Sequence, residues 1–145
     1  MSAGRPSKYS KEIADKICEL IATTQKSMAT ICKEVGIPYG THLEWVRSNE
    51  EYSKQYARAK EDQADLLAEQ ILEISDDKAG DLLSGEFGEV GNTANIQRAR
   101  LQVDSRKWIA AKLKPKKYGD KIEHSGSIHI EQPLFPDVRK DDSDR

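Results

Sequence analysis

The chain reads as a mainly α protein built from a small N-terminal helical head, a long central helical hairpin for oligomerisation and a short C-terminal β segment. Three observations give that class. Residues 50–77 contain no Pro or Gly, and Tyr56, Lys60, Ala64, Leu67, Ile71 and Ile74 recur at steps of four and three, the spacing of one long amphipathic helix. Ahead of it, two short apolar-periodic runs flank Gly36, the pattern of a helix-turn-helix. Behind it, a second helical run ends at Pro115, and the alternation around Ile128 and Ile130 has the period of a strand. The expected divisions are 1–49 for the head, 50–115 for the hairpin, 116–132 for the β segment and 133–145 for a disordered tail.

In the head, Ser10 caps a first helix over 11–22 that places Ile13, Ile17, Leu20 and Ile21 on one face. After a polar break at 23–26, Ser27 caps a second over 28–35, with Met28, Ile31, Cys32 and Val35 inward. Gly36 stops it, because glycine enters the left-handed region without penalty, and Pro38 opens a third helix over 39–48. Leu43 and Trp45 or Val46 anchor that third helix, which leaves Tyr39, Thr41, His42, Glu44 and Arg47 facing outward. In such a motif the N-terminal part of the second helix of the pair enters the major groove. Duplex contacts are therefore expected from Lys8, Lys33, Tyr39, Thr41, His42 and Arg47, with Arg5 of the Gly4-Arg5-Pro6 leader reaching the minor groove; the alternative for the leader is a frayed terminus that touches nothing.

The long helix would span roughly 40 Å, more than the head needs, so it reads as a strut entering an assembly; the plainer alternative is a core helix of a four-helix bundle. Residues 78–92 carry four glycines and several acids and read as a solvated loop. Gly85, Gly88 and Gly91 lack the Gly-Lys-Ser/Thr ending of a phosphate loop. A further helix from Thr93 or Asn95 to Leu113 folds back antiparallel, with Ile96, Ala99, Val103, Ala110 and Leu113 inward and Leu101, Trp108 and Ile109 widening the stripe. Its Arg98, Arg100, Arg106 and Lys107 can pair with the acidic side of the strut in the same or a neighbouring copy. Candidate assembly residues are Leu67, Ile71, Ile74, Val103 and Trp108, together with Ile128 and Ile130 on a strand that needs partners from other copies. Leu134, Phe135 and Val138 form a candidate docking motif in the tail.

Hydrophobic residues make up 37% of the 145 and charged residues 33%, a thin core that favours small modules and oligomers. No apolar run approaches a membrane span or a signal-peptide centre, so a soluble protein with no membrane partner is expected. Cys18 and Cys32 sit on apolar faces outside any metal spacing and read as buried free thiols. Residues 1–60 hold ten Lys plus Arg against seven Asp plus Glu, and residues 61–145 hold thirteen against eighteen. Nucleic acid thus suits the front half. No nucleophile, carboxylate pair or nucleotide loop assembles, so no catalytic residue, cofactor or metal is expected.

GRPSKYSKE at the front, IPYGTHLEW after the turn and above all RARLQVDSRKWIAAKLKPKKYGDK resemble the small terminase subunit of tailed bacteriophages, over roughly Gly4 to Lys121. The resemblance implies a non-enzymatic subunit that binds double-stranded viral DNA at its packaging site. It also implies a ring of about eight copies with heads outside, hairpins around a channel and C-terminal strands joined in an intersubunit barrel. The ring would hand DNA to the large terminase subunit, which holds the ATPase and nuclease, in the host cytoplasm and not in the mature virion. Relatives have a hydroxyl-rich, β-branched run after the turn proline; here Tyr39-Gly40-Thr41-His42 stands there, so their base contacts do not transfer. The alternative from another class is a dimeric helix-turn-helix transcriptional regulator.

Overall fold

A computed structural model describes residues 8–120 of the chain. Four helices follow one another from the N-terminus: α1 (Lys11–Thr23), α2 (Met28–Val35), α3 (Tyr39–Ser48) and α4 (Glu50–Asp76). A two-stranded hairpin, β1 (Leu82–Gly85) and β2 (Gly88–Gly91), then leads into α5 (Thr93–Leu113) and the single turn α6 (Pro115–Tyr118). The mainly helical class is therefore as the sequence predicts.

Polar side chains set where each helix starts. Ser10 accepts from the Ile13 amide, Ser27 from Thr30, Asn49 from Tyr52 and Asn92 from Asn95, each satisfying one of the amides that a helix N-terminus leaves open. Gly36 has φ 81°, and its amide and that of Ile37 both donate to the Cys32 carbonyl at 3.0 Å, closing the turn between α2 and α3.

The head's core consists of Ala14, Ile17, Cys18 and Ile21 from α1, Ile31 and Cys32 from α2, Ile37 in the turn, Trp45 from α3, and Tyr52 and Ala59 from α4. The first turns of the strut thus belong to the head, and packing runs unbroken across residue 49. Both cysteines are free and buried, and burial pushes the Cys18 thiol up to about 11. Further along, α4 and α5 pack antiparallel around Ala64, Leu67 and Ala110.

Two departures from the sequence reading concern strands. The glycine-rich stretch after α4 is an antiparallel hairpin, pairing Leu82 with Gly91, Leu83 with Val90, Ser84 with Glu89 and Gly85 with Gly88. Glycine is needed at 85, where a Cβ would stand 2.6 Å from Val90 Cγ2 and 2.9 Å from the Gly88 carbonyl oxygen. Asn92 Nδ2 to the Gly80 carbonyl (2.8 Å) and Asn95 Nδ2 to Asp81 Oδ1 (2.9 Å) tie the hairpin's base to α5. In the expected β segment, Lys116 to Tyr118 are helical: α5 ends at Leu113, as expected ahead of Pro115, and Pro115 then starts a further single turn. The strand expected around Ile128 and Ile130 lies outside the described residues.

Candidate nucleic-acid interface

The α2–turn–α3 unit presents Lys33, Tyr39, Glu44 and Arg47 as exposed residues, with Thr41 half-buried and Lys8 exposed beside the start of α1. These six share the head. Arg5 lies outside the described residues. Lys26 Nζ and Glu34 Oε1 pair at 2.6 Å across the surface between the α1–α2 loop and α2, neutralising a charge there. The face offers a small number of cations beside Glu44.

His42 is the correction. It does not face outward: it is 1% exposed, and its Nδ1 lies 2.8 Å from the Tyr52 hydroxyl. The reason is helical phase. His42 stands three residues before Trp45, so both fall on the side of α3 that meets α4, while Leu43 and Val46 flank that side half-buried. An aromatic cluster closes around it, with Tyr56 at 5.0 Å and Tyr52 at 5.9 Å between ring centroids, and Tyr52 in turn meets Trp45 and Tyr9 edge-on. Burial lowers the His42 pKa below the ordinary histidine value, and the Lys60 ammonium pushes the same way. The imidazole is therefore neutral at pH 7 and orients α3 on the strut instead of touching a ligand. Lys60 is itself half-buried, with Nζ 3.1 Å from the neutral Gln63 Oε1, and burial lowers its pKa.

Amide and guanidinium contacts couple head to hairpin. Gln63 Nε2 donates to the Thr24 carbonyl at 3.0 Å, and Gln70 Nε2 donates to Gln25 Oε1 at 3.2 Å. Gln70 Oε1 accepts from Arg106 Nε at 2.9 Å, so one glutamine touches the α1–α2 loop and α5 together. A second node lies where the chain leaves α5. Asp65 accepts from Lys114 Nζ (2.8 Å), Lys117 Nζ (2.9 Å) and the Tyr118 hydroxyl (2.6 Å). Those three donors hold its carboxyl well below the usual carboxylate range. The Lys-Pro-Lys-Lys-Tyr run thus has a fold role, clamping α6 onto the middle of α4. Sequence reasoning missed both nodes because each is a polar contact between residues tens of positions apart.

The assembly residues separate into two groups. Leu67 is buried in the chain's own hairpin, and Ile71, Ile74 and Val103 are half-buried on or near the same seam, so Leu67 is not free to meet another copy. Trp108 is outward, 65% exposed. Ile128 and Ile130 lie outside the described residues. Leu72, on the apolar stripe of the strut, is exposed, as are residues that the sequence reading passed over: the strand residues Leu82, Leu83 and Val90, and Phe87 at the hairpin tip, 99% exposed. Among the described residues no group of His, Cys, Asp or Glu is placed to hold a metal ion, and no helix is long and apolar enough to cross a membrane.

The family described as Bacteriophage Sf6, terminase small subunit-like matches residues 9–125. The chain belongs to that family. Crystal structures of the terminase small subunit gp1 of the bacterial virus Sf6, each carrying one substitution, are similar to it. One such form matches with 36% sequence identity and a TM-score of 0.63, over 88% of this chain and 94% of that one. Two other singly substituted forms match at the same identity and coverage with TM-scores of 0.62. No curated protein matches. The terminase small subunit family carries a role in viral DNA packaging.

Proposed function

We propose that this terminase small subunit is a non-catalytic DNA-recognition ring. Its heads bind double-stranded viral DNA at the packaging site, and the ring delivers that DNA to the large terminase subunit in the host cytoplasm without entering the mature virion. The observation that carries the reading is the helix-turn-helix, which presents Lys33 on α2 and Tyr39, Thr41 and Arg47 on α3, the helix that packs on the long strut, in a chain of this family. Each cation neutralises about one phosphate, so a single head with Lys8, Lys33 and Arg47 binds weakly and with little salt dependence. Several heads fixed on one ring raise the effective concentration for each next contact, and affinity then follows from avidity.

Native mass spectrometry and a duplex-binding titration on the full chain test this together. A single large closed oligomer that prefers packaging-region duplex over scrambled duplex is the expected result. A dimer binding a palindromic site would overturn it in favour of a transcriptional regulator.

A further inference from the structure

We infer that the β1–β2 hairpin is a docking knob for a protein partner that offers an apolar socket rimmed by basic side chains. This deepens the delivery step proposed above and rests on it, since the large terminase subunit is the protein partner which that step requires.

The hairpin's apolar side chains have nothing to pack on in their own chain. Among the described elements, β1 and β2 meet only each other. The register pairs Leu83 with Val90 and Gly85 with Gly88, and strand alternation puts these four positions on one face of the ribbon. Glycine adds no side chain, so that face consists of Leu83 and Val90, both exposed, with Phe87 at the turn beyond them, 99% exposed. A two-stranded ribbon is marginal by itself in water. Here its base is held. The Asn92 amide donates to the Asp81 carbonyl at 2.6 Å, Asn92 Nδ2 to the Gly80 carbonyl at 2.8 Å, and Asn95 Nδ2 to the Ala79 carbonyl at 3.2 Å and to Asp81 Oδ1 at 2.9 Å. An aromatic side chain on a ribbon fixed at its root loses little freedom when it docks, and aromatic anchors seated in pockets carry much of the energy of an interface.

Charge selects the partner. Residues 76–91 carry five acids, Asp76, Asp77, Asp81, Glu86 and Glu89, against one base, Lys78. Among the described residues none of these acids is in an ion pair. Duplex is unsuited to such a surface, because a single lysine is present to replace counterions and the acids repel phosphate. A neighbouring copy is unsuited for a related reason. In a ring about one rotation axis the equivalent hairpins stand at one level, so each would meet another of like charge. The complement is a protein surface with Lys or Arg around an apolar pocket. Phe87 enters the pocket, Leu83 and Val90 cover its lip, and Glu86 and Glu89 meet the basic rim.

The two ends of the strut then serve two partners. At about 1.5 Å per residue the 27 residues of α4 span about 40 Å between head and hairpin, so duplex on Lys33 and Arg47 leaves the knob free.

Two full-length variants, Phe87→Ala and Glu86→Lys with Glu89→Lys, test the inference by titration against the purified large terminase subunit, with native mass and duplex binding measured alongside. Phe87 supports no packing in its own chain, so its removal leaves the fold intact. Phe87→Ala is expected to weaken binding of the large subunit at least about tenfold while native mass and duplex affinity stay unchanged. The charge reversal is expected to slow association with the large subunit and to flatten its salt dependence. Unchanged large-subunit binding in Phe87→Ala would overturn the knob and leave the delivery reading standing. A reduced native mass would assign the hairpin to contacts between copies, and weakened duplex binding would assign it to DNA; either overturns the inference. An unaltered chain that does not bind the large subunit would end the delivery reading and the inference with it.

Discussion

Replacing Tyr52 by Phe removes one oxygen from the centre of the head and tests how α3 is held. The ring of Tyr52 is fully buried and its hydroxyl lies 2.8 Å from His42 Nδ1, so the substitution changes little packing and leaves a buried imidazole nitrogen without that partner. A buried polar atom stranded this way costs about 1–3 kcal/mol, more than the net worth of the bond itself. At roughly 2–4 °C per kcal/mol for a chain of this size, that lowers Tm by roughly 2–12 °C, measured at fixed protein concentration because assembly adds to stability. Changing both partners, Tyr52→Phe with His42→Leu, takes away the stranded atom too. The double variant is expected to be less destabilised than the two single costs added, by about 0.5–3 kcal/mol. The pH dependence has a definite sign. The folded-state pKa of His42 is lowered, so the unfolded chain binds the proton first, and stability present above the unfolded value of about 6.5 is lost as pH falls below it. The slope reaches up to about 1.4 kcal/mol per pH unit and disappears in His42→Leu. Urea titrations between pH 5 and 8 check both statements. Additive single costs, or a slope unchanged in His42→Leu, would refute the account of His42 as a neutral, hydrogen-bonded anchor.

Reversing Lys33 and Arg47 to Glu is expected to weaken duplex binding and reduce the salt slope by roughly 0.9 per lost phosphate contact, with unchanged native mass; binding curves at several salt concentrations read it. Asp65→Asn is expected to speed amide exchange at Lys114, Lys117 and Tyr118 while the head stays protected. Because the folded Asp65 pKa is lowered, its contribution in the unaltered protein is present above the unfolded value of 3.8 and is lost as pH falls through the lower folded value. Gly85→Ala is expected to break the β1–β2 pairing without altering helix content, since the new methyl meets Val90 and the Gly88 carbonyl; NMR chemical shifts of residues 82–91 would show it.

Helix starts were legible in the chain because they are local. A serine three residues ahead of an amide it caps, as at Ser10 and Ser27, and a glycine that readily accepts φ 81° act within one turn of backbone. The antiparallel return of α5 was legible too, from the length of two apolar-periodic runs and the break between them. The hairpin of β1 and β2 was not, because its exposed strands carry no buried alternation, and its glycines look the same in a loop. In the candidate interface, Lys33, Tyr39 and Arg47 fell on the exposed side as polar and aromatic residues of a short helix commonly do. His42 did not, since its burial depends on a tyrosine ten residues on that supplies the hydrogen bond.

The sequence by itself determined the order, length and capping of the helices and the existence of two apolar stripes, because those follow from interactions between residues at most a few positions apart. Only the tertiary structure decided which stripe each side chain serves. Leu67 went to the chain's own seam while Leu101 and Trp108 were left outside, and Asp65 and Gln70 found their partners on α5 and α6. That choice depends on the rotation of one helix against another, which is set by the fit of whole faces and by polar atoms that must find partners once water is excluded.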